Sequence, residues 1–392
     1  MKVYLDCAAT TPVAKDAAKA MLRYSGRDFG NASSLHWFGQ QAREGVEAAR
    51  QKAAEFLNCS LTEVFFTGSA TEADNLAVSG VINTAKKNGI VKPHVIISAI
   101  EHPAVLEPVK HLEKSGEIEA TYLAVGKDGI VKTESIEKAI RPDTVLISIM
   151  YANNEIGTVQ PVAEIARIIR DFRGLKQYPV FHTDAVQAAN YLDCDTQKLG
   201  VDSLTLSGHK IYGPKGVGVL YVKKGVGVEP VMFGGHQEQS LRPGTENVAA
   251  IAGMGAAIAG LKAQSPKIKN DVEKLRNKLI DGILKNIPKT YLNGSREHRL
   301  PNNANISFQG VEGESILMAL DQKGIAVSTG SACASGSLEP SHVLMALGLS
   351  HQQAHGSVRF TLGKHTTKEE INYVLKVLPE VIKKLRAISP LK

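Results

Sequence analysis

Ser203-Leu204-Thr205-Leu206-Ser207-Gly208-His209-Lys210-Ile211-Tyr212-Gly213-Pro214-Lys215-Gly216 contains a short strand, Ser203–Leu206, that runs directly into a glycine, a histidine and a lysine. Working outward, Val64–Thr67, His94–Ser98, Val145–Met150, Val180–Thr183 and Val217–Val222 read as further strands, each a short run of β-branched or aliphatic residues. Helical spacing fills the gaps between them. Ala42, Val46, Ala49, Ala53 and Phe56 recur at three- and four-residue intervals and predict a helix over Gly39–Asn58. Pro161 is expected in the first turn of a helix over Pro161–Phe172, where its missing N–H is harmless. Strands separated by helices imply right-handed crossovers and a mostly parallel α/β sheet covered on both faces.

The pattern changes near Glu246. A small-residue helix, Asn247–Leu261, precedes an amphipathic one marked by Ile268, Val272, Leu275, Leu279 and Ile283. Strands at Ala304–Phe308, Ile325–Ser328 and Ser357–Leu362 then alternate with helices at Gly313–Lys323 and Lys368–Ala387. We expect a large α/β domain over 13–260 and a smaller α+β domain built from 1–12 and 261–392. A chain of 392 residues accommodates that division.

Composition excludes several classes. With 43% hydrophobic and 22% charged residues and no low-complexity tract, the chain is neither disordered nor fibrous. Apolar runs such as Val145–Met150 fall far short of the roughly 20 residues of a membrane span. Met1–Asp6 lacks the pattern of a signal peptide, so a cytoplasmic setting is expected. The net charge of +7 is spread thinly, which suits an anionic ligand better than nucleic acid. Cys7, Cys59, Cys194 and Cys333 lie far apart with no CxxC spacing, so neither a resident metal nor a disulfide framework is expected.

In an open parallel sheet, ligands bind beyond the carboxyl ends of the strands. Those ends carry Gly68-Ser69-Ala70-Thr71, Glu101-His102-Pro103, Asn153-Asn154-Glu155, Asp184 and Ser207-Gly208-His209-Lys210. Five polar strand ends on one rim make a site there. Gly68–Thr71 reads either as an anion cradle at a helix start or as a helix cap. Lys210 reads either as a Schiff-base lysine for an aldehyde cofactor or as a phosphate-binding or surface lysine. On the first reading, Asp184 suits a pyridinium partner. His102, taken alone, reads as a structural hydrogen-bonder.

Tyr4-Leu5-Asp6-Cys7-Ala8-Ala9-Thr10-Thr11-Pro12, Thr67–Glu72, Glu101–Val105, Asn153–Gly157, His182–Gln187 and Ser207–Gly216 together resemble the cysteine desulfurases of the NifS/IscS type, within the class V aminotransferases. Arg242–Asn247, Ser328–Ser335, Leu338–Ser341 and Val358–Gly363 extend the resemblance, in order, to the end of the chain. It implies a fold-type I enzyme dependent on pyridoxal 5'-phosphate, with a seven-stranded large-domain sheet. It also implies a homodimer that takes sulfur from L-cysteine, releases L-alanine and serves an iron–sulfur scaffold or a tRNA-thiolation protein. By the same resemblance Lys210 binds the cofactor aldehyde, Asp184 its ring nitrogen, and Gln187 and Asn154 lie near its phenolic oxygen. His102 stacks on the ring and assists proton transfer. Ala70, Thr71, Ser207 and His209 hold the phosphate, joined by Thr245 from the second subunit. Arg359 clamps the substrate carboxylate, with Asn31 beside it.

The resemblance makes Cys333 the sulfur acceptor, a persulfide carrier and a possible cluster ligand during transfer. The residues around it agree. Ser328–Ser337 is rich in Gly and Ser, and no apolar periodicity places Cys333 in a core, whereas Cys59 and Cys194 read as buried. Three departures stand out: Cys7, Ala32 and Tyr151 replace residues common in the family. Two alternatives remain: a selenocysteine lyase or small-substrate aminotransferase on the same fold, and a non-catalytic interaction protein with a basic surface.

Overall fold

The computed structural model describes residues 1–262, 266–329 and 339–390. Cys333 therefore lies outside the described residues. The strands are β1 (Val3–Tyr4), β2 (Val64–Thr67), β3 (His94–Ser98), β4 (Glu119–Leu123), β5 (Thr144–Ser148), β6 (Val180–Asp184), β7 (Ser203–Ser207) and β8 (Gly218–Val222), followed by β9 (Thr290–Leu292), β10 (Asn303–Phe308), β11 (Ile325–Ala326), β12 (Ser328–Thr329) and β13 (Ser357–Thr361). Seven of them form one sheet in the order β2-β8-β7-β6-β5-β3-β4. β8 runs antiparallel to both neighbours, and the other pairs are parallel. Every residue of β3, β5, β6, β7 and β8 is buried, as covering on both faces requires.

Helices α1 (Lys15–Ser25), α2 (Trp37–Leu57), α3 (Ala70–Lys87) and α4 (Pro103–Lys114) stop and start on local chemistry. α2 ends where Asn58 turns left-handed and returns its N–H to Ala54 O. α3 is capped by Ser69 Oγ, which accepts from Glu72 N, and α4 begins with Pro103 at its first position. Pro161 stands one place earlier than expected. It caps the helix Val162–Arg173 from outside, and its carbonyl accepts from Glu164 N and Ile165 N.

Further differences from the sequence reading concern strands, with β1 and β9 among those not expected. β4, an edge strand with no fully apolar run, was not foreseen. The expected strand Ile325–Ser328 divides at Val327: β11 pairs with β1, while β12 joins the antiparallel sheet β12-β13-β10-β9. Through β1, the N-terminal segment lies beside the smaller sheet, with Thr361 N donating to Leu5 O at 2.7 Å.

Separate cores support the two sheets. Val46, Phe66, Ile147, Leu204 and Met254 belong to the first, and Val3, Leu5, Ile280, Phe308, Phe360 and Leu378 to the second. Each such side chain contributes about 1.5–3 kcal/mol on burial. A smaller cluster, Ile100, Met150 and Ile156 against Val343, Leu344 and Leu347, joins the rim of the large sheet to the C-terminal part. Cys194 is buried, but Cys59 is only half-buried, since it follows the exposed end of α2. No single helix among the described residues is long and apolar enough to cross a membrane, and no group of three or more His, Cys, Asp or Glu side chains there could hold a metal ion.

Candidate active site

The floor of the site forms where β6 and β7 end. After β7 the chain makes a single turn, Gly208–Lys210. A Cβ on Gly208 would meet Pro214 O at 2.7 Å, so only glycine permits the turn. Lys210 Nζ donates to Ala8 O at 2.6 Å and to Ala9 O at 2.8 Å. Asp184, the last residue of β6, is buried and accepts from Val186 N at 2.9 Å. Burial pushes its carboxyl up to about 6, against the opposing pull of the Val186 N–H and the Lys210 charge. Gln187 Nε2 donates to Ala8 O at 3.0 Å.

Helix starts line the rim. Ser69 spends its hydroxyl on the α3 cap, while Ala70 and Thr71 face the cavity. The cap reading of Gly68–Thr71 thus holds for Ser69, and the helix start remains open to an anion. His102 Nδ1 accepts from Ala104 N at 3.1 Å, capping α4, and the same side chain lines the cavity. Burial first, then the Lys210 charge, pushes His102 down to about 4, so the ring is neutral. His209 is likewise held at about 4 by burial, and its Nδ1 lies 3.2 Å from Thr10 Oγ1. Ser207 completes this side.

Across from them, β13 supplies Arg359, 1% exposed. Its Nη1 donates to Asn154 O at 3.0 Å and its Nη2 to Asp6 Oδ1 at 2.9 Å, while Nε is buried without a partner. An unpaired guanidinium N–H at a cavity wall is suited to an incoming carboxylate.

One cavity of about 460 Å³ therefore gathers Ala70, Thr71, His102, Asn154, Asp184, Gln187, Ser207, His209, Lys210 and Arg359. Two expected residues do not face it. Asn31 is exposed, and its Oδ1 is turned back to accept from Ser33 N at 2.9 Å. Thr245 is exposed beside Gly244, whose φ of 110° suits glycine. Cys7, Ala32 and Tyr151 do not line the cavity either, and burial pushes the Cys7 thiol up to about 12.

Sequence reasoning missed two contributors. The segment Asp6–Thr11 threads the site: Ala8 O and Ala9 O hold the lysine, Asp6 the arginine, and Thr11 Oγ1 accepts from Tyr212 N at 2.8 Å. Its carbonyls carry no side-chain signal. Asp74, inside α3, also faces the cavity. Its signal was an acid among Ala73, Leu76 and Ala77 on a buried helix face.

A lysine, a buried acid and a helix start thus line one cavity. A family model for class-V aminotransferases matches residues 3–374. The chain belongs to that family. Class-V aminotransferases depend on pyridoxal phosphate as a group. Among curated relatives, the cysteine desulfurase IscS of Dictyoglomus turgidum is 50% identical over 392 residues, covering 100% of this chain and 97% of the relative. That of Methanosarcina thermophila is 48% identical over 389 residues, covering 99% and 94%. A solved NifS-like protein superposes with a TM-score of 0.90 at 37% identity, covering 98% of this chain and all of the other.

Proposed function

We propose that the chain is a cysteine desulfurase that uses pyridoxal 5'-phosphate to take sulfur from L-cysteine, forming L-alanine and a persulfide on Cys333. One observation carries this: Lys210, Asp184 and Arg359 line one cavity, and the Nε of that arginine is buried without a partner. The residues present fit the cofactor. Lys210 offers an amine to the aldehyde, Asp184 an acid to the ring nitrogen, and the α3 start with Ser207 and His209 offers donors to the phosphate. When bound, pyridoxal phosphate supplies an electron sink for the substrate Cα.

The chain's own residues do the rest. Arg359 orients the substrate carboxylate, and Asn31 assists once its loop turns inward. Lys210 Nζ takes the Cα proton. His102, neutral and capping α4, stacks on the ring and passes a proton. The Cys333 thiolate attacks the substrate sulfur; an S–S bond forms as the substrate C–S bond breaks, and the carbon fragment takes up one proton at Cβ and regains one at Cα before it leaves as alanine. Thr245 reaches a second copy's phosphate site in a homodimer, and the persulfide passes to an acceptor protein in the cytoplasm, for iron–sulfur assembly or tRNA thiolation. The division into 13–260 and 1–12 plus 261–392 belongs to this reading, the two cores supporting it.

Cys333→Ala tests it. The variant should keep the yellow colour of the cofactor-loaded enzyme and lose sulfide release from L-cysteine. Unchanged turnover would eliminate the persulfide step.

A further inference from the structure

Asp74 has no part in the reading above, yet it faces the same cavity. It is 1% exposed and lies in the second turn of α3. Its Oδ1 is buried with no hydrogen-bond partner. The ring nitrogen that approaches it, His182 Nε2, stands 3.6 Å away, beyond hydrogen-bond length. That ring is already engaged, Nδ1 with Ser148 Oγ at 2.8 Å and Nε2 with Thr205 Oγ1 at 3.1 Å. Burial pushes His182 down to about 3, so it is neutral and supplies no counter-charge.

The charges that act on Asp74 are themselves acidic. Burial raises its carboxyl well above the usual range; Asp184 on β6 and Glu101 after β3 push the same way, and only the Thr205 hydroxyl on β7 opposes them. Two carboxylates cannot both ionise cheaply in such a place. Of the pair, Asp184 has the compensation: the Val186 N–H and the Lys210 ammonium both favour its charged form. Asp74 Oδ1 has no donor at all.

We propose that Asp74 is a positioning residue that keeps its proton at neutral pH, so that Asp184 alone carries the negative charge facing the cofactor's ring nitrogen. This rests on the assignment of Asp184 to that nitrogen. A charged Asp74 would add a second negative charge to the cavity lining near Asp184, and a bound cofactor's ring nitrogen would then hold its proton more tightly. The neutral acid leaves the choice to Asp184. Asparagine, equal in shape and uncharged, then leaves the charge carried by Asp184 as it is.

The test compares infrared spectra of the purified chain, with and without pyridoxal phosphate, for wild type, Asp74→Asn and Asp74→Ala. Wild type minus either variant should show a carboxylic-acid C=O band at neutral pH, with or without the cofactor. The visible absorbance of loaded Asp74→Asn, and its pH titration, should overlay the wild type. A carboxylate band in the difference spectrum overturns the proposal, as does a titration midpoint displaced by about one pH unit or more in Asp74→Asn, the displacement that loss of a nearby charge produces. Should Asp74→Asn fail to fold, the alanine variant carries the infrared comparison. A wild type that takes up no colour with pyridoxal phosphate instead overturns the reading of the site, while the infrared difference still decides whether Asp74 holds its proton.

Discussion

On the floor and rim of the cavity, burial sets charge: His102 and His209 are pushed down to about 4 and Asp184 up to about 6. On the wall, the Arg359 guanidinium is held by Asp6 and by the carbonyl of Asn154. The floor comes from the carboxyl ends of a buried sheet, where water is excluded and protonation follows the surroundings. The wall comes from the smaller sheet, and its partner Asp6 arrives on the N-terminal segment. The two regions divide the labour accordingly. On the proposed function, groups whose protonation burial controls lie beside the reacting atoms, and a hydrogen-bonded guanidinium lies where the substrate carboxylate would be held.

Arg359→Ala tests that division most severely. The substrate carboxylate would lose its cation, and Asp6 would lose its partner. Truncating one partner of a buried, hydrogen-bonded charge pair weakens binding by about 2–5 kcal/mol, so kcat/KM for L-cysteine should fall by about thirtyfold to a few thousandfold. Arg359→Lys should recover only part, because an ammonium cannot hold Asp6, Asn154 O and a carboxylate in one plane. Unaltered kcat/KM in Arg359→Ala would show that recognition does not reside on this wall.

Asp6→Asn gives a smaller effect. The Asp6 side chain is 18% exposed against 2% for Arg359, so solvent screens the pair in part. With the guanidinium less firmly aimed, KM for L-cysteine should rise by about tenfold or less, the scale of one charged hydrogen bond, while kcat holds. A fall in kcat with KM unchanged would place Asp6 with the floor rather than the wall.

The sequence made the floor legible and the wall only partly so. Strands such as Val64–Thr67 and His94–Ser98 announced themselves by composition, and the rule for parallel sheets turned their ends into a site. β4 escaped because Glu119–Leu123 lies at an edge and needs no apolar run. The split at Val327 escaped because two short strands of different sheets leave one continuous pattern. Arg359 was legible only through resemblance, since an arginine inside the strand Ser-Val-Arg-Phe-Thr shows no sign of what it faces. Asp6 and the carbonyls of Ala8 and Ala9 were harder still: they act through long-range contacts, and the carbonyls have no residue identity at all. Asp74 lies inside a helix, away from the strand ends that the parallel-sheet rule picks out.

The mildest effect sharpens the floor's side of the comparison without touching catalysis. Glu101 is fully buried, and its Oε1 accepts from Ser98 Oγ at 2.5 Å and from Met150 N at 2.9 Å, while Oε2 has no partner. Burial raises this carboxyl from its ordinary 4.5 to about 8, with those two donors opposing and Asp184 adding to the rise. Between those values the unfolded chain has released the proton and the folded chain retains it. Unfolding then releases a proton, so the stabilising contribution is complete below about 4.5 and is lost as pH climbs towards about 8. Glu101→Gln keeps the shape and removes the titration. Its thermal midpoint should therefore decline less steeply than the wild type's across that window, with the curves separating most near the upper end, since Asp184 at about 6 and Glu155 at about 7 shape the lower part in both proteins. Parallel curves would mean that Glu101 ionises freely in the fold, and that burial does not govern protonation at this strand end.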